Sequence, residues 1–599
     1  MIRLISIVLV FPVFTSVLVW LLTRKKVNIF DLSACTTIVT NLVLNGAMFL
    51  RNGIVVAVVN HYSKVFIGVS ILTSLLVSTF VYFLLQKVNE KGKVVRVARL
   101  TTIVLLGSSV LMFNYVNWLT KSNGLFNFEI LLFNLSVKLD TNTSHFLLDM
   151  VRIFFMPIVV IACLIYLFYF SKLFIGINKE YRKREGYLLK LVRMTLPLVI
   201  LISASAYSFK ALDIRAMIDY YKDEDTFIQR HYVEANDSIL TFPEKKRNLI
   251  VIFAESFEAT YFDKENGGWK EENLLPNMTK RIKSGNAISF SHNEHTLGGM
   301  KSVPGAMWSI AGMTAQLSGV PHKTTIDVSE HEGDLTYLPG IISVGEMLET
   351  EGYQNAFNVG SHSHLFGIGA YYRHHGNHQI NDYGYFLRKG LIPEDYLVFM
   401  GIEDKKLYEY SKDVLLDLAS NESPFNLVIE TQDTHFPNGY TDPSCPANYS
   451  SPYANAISCA DSMLEDLLSW IENQEFYDNT TIVVVGDHLS MDTEYFQGID
   501  DYERTVFNMI INPVDEVKNS GNLFSRDFYA MDMYPTILSS IGVKIEGDRL
   551  GLGTDLFSGR QTLYEKLGVE PVRDSLFRNS KFYNDYFVYG NRNWRVNKD

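Results

Sequence analysis

Three short segments carry side chains that can hold a metal ion or move a proton. Glu255 and Glu258 come directly after the apolar run 248–254, His435 stands in Thr434-His435-Phe436-Pro437, and Asp487 and His488 come after Gly486 at the end of a row of valines. A carboxylate next to an imidazole reaches one ion when the backbone bends between them. A carboxylate from another segment then completes a hard, oxygen-rich site with a single nitrogen. Each segment also has a plainer explanation. A Glu after a strand caps the next helix, an Asp-His pair closes a turn, and a loop histidine simply makes a hydrogen bond.

The elements that would position these groups are continuous apolar strands. They run at 248–254, 355–359, 425–430, 481–485 and 506–511, with helical stretches between them. Strands apolar on both faces predict a parallel sheet covered by helices on both sides, an α/β fold. Ligands of such sheets bind at the carboxyl ends of the strands, which is where Glu255, His435, Asp487 and His488 fall.

The first third of the chain is different. Long apolar runs at 2–22, 34–59, 64–86, 100–119, 151–175 and 190–209 predict a transmembrane helical domain over 1–209, with about six spans of roughly 20 residues. Arg24, Lys25 and Lys26 mark the first loop as cytoplasmic; Lys87, Lys91, Lys93, Arg96 and Arg99 mark the third. The basic residues at 172–193 mark the fifth, which leaves both termini and the large C-terminal domain outside. An amphipathic linker is expected over 210–246, lying on the membrane or packed on the soluble domain, and the soluble domain over 247–599. The net charge of −11 argues against nucleic acid as a partner. An outside location permits a disulfide between Cys445 and Cys459, two reduced buried thiols being the alternative.

The order of motifs adds a family resemblance. Phe253-Ala254-Glu255-Ser256-Phe257-Glu258, Ser309-Ile310-Ala311-Gly312-Met313, Glu351-Gly352-Tyr353, Thr434-His435-Phe436-Pro437 and Gly486-Asp487-His488-Leu489-Ser490-Met491 occur in sequence. Together they resemble the phosphoglycerol transferases of the MdoB/OpgB type, in the alkaline phosphatase/sulfatase superfamily, with lipoteichoic acid synthase a more distant relative. The likeness covers roughly residues 245–560. It implies an αβα sulfatase-like catalytic domain on the periplasmic side of a bacterial inner membrane. It implies transfer of glycerophosphate from phosphatidylglycerol to a periplasmic or surface glycan, through a metal-bound threonine. Glu255, Asp487 and His488 would be the metal ligands, for Mn²⁺ with Mg²⁺ or Zn²⁺ as alternatives, and His435 would act on the substrate. Cys445 and Cys459 fall where the glucan-modifying enzymes carry a cysteine pair.

The chain departs from that pattern at the nucleophile. In Pro304-Gly305-Ala306-Met307-Trp308-Ser309, alanine stands at 306 where the family's Pro-Gly-Thr places threonine. An inactive chain is therefore expected, by replacement of the threonine or as a natural pseudoenzyme. The alternative is that Ser309 or Ser302 has taken over, although Ser309 at a helix start is also explained as a cap. Trp308, Ser309, His364 and His435 are the expected substrate contacts. At 361–368 no arginine matches the glycerophosphate-binding one of lipoteichoic acid synthase, so His364 either binds phosphate or a second metal or decorates a polar loop. Two other functions stay open: a phosphoethanolamine transferase on the same fold, or a catalytically dead membrane protein that binds lipid or glycan.

Overall fold

The computed structural model describes residues 187–215 and 224–594, apart from 324–336, 500 and 519–521, with isolated positions between 109 and 220. The first five expected spans fall essentially outside the described residues. The sixth falls on a helix, α1 (Tyr187–Ala211). Among the described residues no helix is long and apolar enough to cross a membrane.

The remaining described residues, from 218 onward, form a separate unit. Its centre is a seven-stranded sheet of β1 (Asn248–Ala254), β2 (Ala287–Ile288), β3 (Gln354–Val359), β4 (Gln379–Asn381), β5 (Phe425–Glu430), β6 (Thr480–Gly486) and β7 (Asn508–Ile511). The spatial order is β2-β7-β6-β1-β5-β3-β4. Strands β6, β1, β5, β3 and β4 are parallel. Strand β7 runs antiparallel to β6, contrary to the expectation of a wholly parallel sheet. The reason is connectivity: no α-helix lies between β6 and β7 among the described residues, and only a parallel return requires a long crossover.

Strand residues alternate between two cores. Ile250 and Ile252 of β1, Leu427 and Ile429 of β5, and Ile482 and Val484 of β6 share one. There they join Met278 of α2 (Pro276–Lys283), Leu407 and Leu415 of α5 (Asp404–Ala419), and Leu464 and Leu468 of α6 (Pro452–Glu472). The intervening Val251, Phe253, Val428, Val483 and Val485 are equally buried on the other face. Helices α3 (Ser309–Ser318), α4 (Val344–Thr350) and α7 (Met533–Ser540) complete the set, with α3 packed on both α4 and α7. This is the layered α/β arrangement expected from the strand pattern.

Part of the expected linker belongs to this unit. Residues 240–241 pair with 544–545, and Phe227, Ile228 and Tyr232 are buried, the Tyr232 ring packing edge-on to Phe587. Its apolar residues from 227 onward are thus covered by the domain's own C-terminal segment.

Candidate active site

The carboxyl ends of β1 and β6 are adjacent, with Ala254 paired to Gly486. The residues just past each of these strands are therefore brought together. Ligand atoms of Glu255, Asp487 and His488 all lie within 4.8 Å of one another, and all three residues are buried. His488 Nε2 is 3.3 Å from Asp487 Oδ2 and 3.5 Å from Glu255 Oε1.

Several bonds fix this trio. Ser256, at φ 56°, donates its N–H to Asp487 Oδ1 at 2.8 Å and its hydroxyl to Glu255 Oε1 at 2.6 Å. A positive φ on a buried non-glycine residue is strained, and here the strained residue clamps both carboxylates. The Glu255 N–H donates to Thr431 Oγ1 at 2.9 Å, and Thr434 Oγ1 donates to the Glu255 carbonyl at 2.5 Å. His488 Nδ1–H donates to the Leu489 carbonyl at 2.7 Å, which leaves the Nε2 lone pair facing the carboxylates.

The electrostatics suit a cation. Burial, reinforced by Glu255, pushes the Asp487 carboxyl up to about 7. Burial alone would lower the His488 imidazole, but Asp487 and Glu255 outweigh it and raise it. Asp487 Oδ2 is buried and makes no hydrogen bond. Two crowded carboxylates, one of them with an unsatisfied oxygen, and an imidazole locked in the ligating tautomer fit a divalent ion.

A second hydroxyl in contact with this group, and one that also reaches His488, belongs to Ser309. Its Oγ lies 3.2 Å from Glu255 Oε2 and 3.4 Å from His488 Nε2. Ser309 opens α3 but makes no side-chain cap; the N-cap position is Trp308, which makes none either. Gly312 sets the height of the helix: a Cβ there would sit 1.9 Å from the Asp487 carbonyl oxygen. Gln316 Nε2, one turn on, donates to the Gly486 carbonyl at 2.9 Å. Ala306 lies before the helix, buried, its N–H donating to the Val303 carbonyl at 3.2 Å, and its methyl group offers no ligand atom.

The other expected residues fall at varied places. His435 lies within electrostatic reach of Asp487 and His488, its Nδ1–H donating to the Phe436 carbonyl at 2.5 Å, and burial lowers its imidazole to about 4. Trp308 is buried, edge-on to His322 at 5.7 Å. His364 is exposed, its ring 5.1 Å from that of His362. Ser302 uses its carbonyl to accept from Arg573 Nε at 2.9 Å. Glu258 lies apart from the trio, buried in an ion pair with Arg504 and accepting from the Ser490 N–H at 2.8 Å. Cys445 and Cys459 are joined by a disulfide, Cα–Cα 5.6 Å. Ser256, Thr431 and Gln316 carry no signal of their own in the sequence. Ser256 lies within the Glu255 motif and Thr431 just before the Thr434-His435 motif, and only the fold shows them turned inward.

The sequence is similar to several known proteins. The family model described as Sulfatase matches residues 247–543. Phosphoglycerol transferase I of Xanthomonas axonopodis pv. citri is 31% identical over 255 residues, covering 41% of this chain and 34% of its own length. Phosphoglycerol transferase I of Escherichia coli O6:K15:H31 is 26% identical over 349 residues, covering 57% of this chain and 42% of its own. The chain thus spans only 34% to 42% of these relatives' length. Among solved structures, the lipoteichoic acid synthase LtaP from Listeria monocytogenes overlays with a TM-score of 0.41 at 17% identity, covering 56% of this chain and 80% of that one.

Proposed function

We propose, from the premise that residues 247–543 are a sulfatase-family domain, that this chain transfers glycerophosphate from phosphatidylglycerol to a hydroxyl of a glycan, with Ser309 as the nucleophile. The observation that carries this reading is the contact of Ser309 Oγ with both Glu255 and His488. The curated relatives, phosphoglycerol transferases by name, support the donor class. The apolar runs before residue 210 support a membrane-anchored chain with its catalytic domain in the periplasm.

A divalent ion held by Glu255, Asp487 and His488 would neutralise charge on the phosphoryl oxygens and favour the ionised hydroxyl; Mn²⁺ is the proposed ion. The chain's own groups do the rest. Glu255 Oε2 lies within hydrogen-bonding distance of Ser309 Oγ and receives its proton, so the oxygen lone pairs turn toward the donor phosphorus. In the first half-reaction Ser309 Oγ bonds to phosphorus, the bond to the diacylglycerol oxygen breaks, and diacylglycerol leaves with a proton. In the second, the acceptor oxygen bonds to the same phosphorus, the bond from Ser309 Oγ to phosphorus breaks, and Ser309 takes up a proton as the acceptor loses one. His435, neutral at pH 7 and with Nδ1–H committed to a carbonyl, presents Nε2 as the base for the acceptor hydroxyl. The N-terminus of α3 adds a favourable field for the phosphoryl charge.

In this reading alanine at 306 does not silence the chain. The test measures diacylglycerol released from labelled phosphatidylglycerol with Mn²⁺, and uses mass spectrometry to find the serine adduct. Ser309→Ala is expected to lower release by roughly a thousandfold or more, and Ala306→Thr to leave it unchanged. Release only after Ala306→Thr would move the nucleophile to 306. Release from phosphatidylethanolamine alone would change the donor to an ethanolamine lipid.

A further inference from the structure

Each of the three candidate ligands needs something to aim it. Ser256 does this for Glu255 and Asp487. His488 is aimed through Nδ1–H, which donates to the Leu489 carbonyl at 2.7 Å. A carbonyl holds a ring in one orientation only if the carbonyl is itself held. What holds this one is Glu258, on a different segment.

The carbonyl of Leu489 and the N–H of Ser490 belong to one peptide group. That group is planar and trans, so its carbonyl and its N–H point in opposite directions. Glu258 Oε1 accepts the Ser490 N–H at 2.8 Å. One rigid plane therefore connects the Glu258 carboxylate on one edge to the His488 imidazole on the other.

Glu258 and Ser490 are fixed in turn. Arg504 Nε donates to Glu258 Oε2 at 3.0 Å, and Arg504 Nη2 reaches Oε1. Thr260 Oγ1 donates to Oε2 at 2.7 Å. Arg504 Nη2 also donates to the Ser490 carbonyl at 2.7 Å, and its guanidinium lies over the Phe496 ring at 3.6 Å. The Ser490 hydroxyl is 2.6 Å from the Tyr453 hydroxyl. The ion pair thus grips the peptide groups on both sides of Ser490, which is fully buried.

The side chains of Glu258 and Arg504 are only 0% and 11% exposed. Such a pair is a poor source of stability, because desolvation of both charges offsets their attraction. An apolar pair would pack the segment after β6 as well. The charge has a consequence that an apolar pair lacks. An anionic acceptor on a peptide N–H polarises the group and strengthens its carbonyl as an acceptor. A stronger acceptor on Nδ1–H makes Nε2 the better metal ligand.

We infer that Glu258 is a positioning residue for His488. Its carboxylate acts through the Leu489–Ser490 peptide group, fixes the imidazole with Nε2 toward Glu255 and Asp487, and strengthens it as a ligand for a divalent ion. The inference rests on the reading of those three residues as an ion site. It does not depend on Ser309 or on the donor lipid.

The test measures Mn²⁺ binding to the full chain in detergent micelles, read from the electron paramagnetic resonance of the free ion. Replacing the pair together, Glu258→Met with Arg504→Met, removes both charges without leaving either one buried alone. The dissociation constant for Mn²⁺ is expected to rise about 10- to 100-fold. Glu258→Gln, which keeps an acceptor for the Ser490 N–H but not the charge, should fall between the paired variant and the unaltered chain. The readout that separates positioning from general support is the same replacement made in His488→Asn. With no imidazole to aim, losing Glu258 there should change Mn²⁺ affinity by less than about twofold. If the paired methionine chain does not fold, Glu258→Gln with and without His488→Asn gives the same comparison. Unchanged affinity in the Glu258 variants would overturn the inference. An equal loss with and without His488 would also overturn it, by making Glu258 a support of the whole segment. No Mn²⁺ bound by the unaltered chain would sink the ion site and this inference together. Mn²⁺ binding that depends on Glu258 through His488, in a chain that never releases diacylglycerol, would uphold the inference and sink the transferase alone.

Discussion

Two buried histidines of this domain are pushed in opposite directions by their neighbours. His488 faces two carboxylates, which outweigh its burial and raise its affinity for a proton or a metal. His378 is buried with the ring of Tyr372, donating Nδ1–H to the Tyr372 carbonyl at 2.9 Å, and burial lowers it to about 4. The consequence for His378 is a pH-dependent stability. Between pH 6.5 and 4 the unfolded chain binds a proton there and the folded chain does not, so acid favours unfolding. The native His378 therefore loses stability as pH falls through that window, by on the order of 3 kcal/mol for this one group. His378→Gln removes the titration. The variant is expected to be less stable at pH 7, with its deficit shrinking on that scale by about pH 4. Urea unfolding of both chains at several pH values measures this; a deficit independent of pH would mean that His378 titrates alike in the folded and unfolded chains. The same local logic explains the site serine. Ser309 Oγ is within reach of two candidate ligands, whereas at 306 there is only a methyl group held in the preceding turn.

At the scale of elements, the site depends on how closely α3 approaches the end of β6. Gly312 has helical neighbours on both sides, so Gly312→Ala should by propensity stabilise α3 by about 0.5–1 kcal/mol. The structure reverses that sign. The added Cβ would lie 1.9 Å from the Asp487 carbonyl oxygen, a backbone atom that cannot rotate away. The helix must lift, and Ser309 and Gln316 move with it. Gly312→Ala is expected to destabilise the domain by about 1–3 kcal/mol and to weaken divalent-ion binding measured by calorimetry. Gln316→Ala gives the milder case, losing one hydrogen bond but no space. An unaltered ion affinity in Gly312→Ala would show that α3 does not set the site. This dependence also marks how far the sequence could be read. The strands were legible because they are apolar on both faces, and residues just past β1, β5 and β6 were legible because a parallel sheet gathers its carboxyl ends. The height of α3 was not. Sequence order places 306 and 309 in one motif, and only the seat of Gly312 against Asp487 decides which of them faces Glu255. The reversed direction of β7 was hidden for the same kind of reason, since an apolar strand carries no sign of its polarity.

At the scale of the whole molecule, the cysteines test the proposed placement of the sulfatase-like domain outside the membrane. The chain has four. Cys445 is bonded to Cys459 across a sequence separation of 14, linking the loop after β5 to α6. Cys35 and Cys163 fall in the apolar N-terminal runs. Closing a loop of that length removes unfolded-state entropy worth about 3 kcal/mol, but only in an oxidising compartment does the bond persist. The Lys/Arg distribution of the N-terminal loops favours an outside domain, and the disulfide would persist only there. Two independent kinds of reasoning, from charge and from redox chemistry, favour the same orientation. Thiols trapped with a maleimide under denaturing conditions, directly on lysis of the expressing bacteria, should label two of the four cysteines, with all four labelled after reduction. Cys459→Ser should then expose Cys445 as a new thiol and lower the unfolding midpoint. It should leave ion binding intact, because Glu255, Asp487 and His488 are held through Ser256, Thr431 and Leu489 rather than through the residues next to Cys445 and Cys459. Four labelled thiols before reduction would put the domain on the cytoplasmic side, where the charge argument for the orientation and the proposed periplasmic acceptor would both fail.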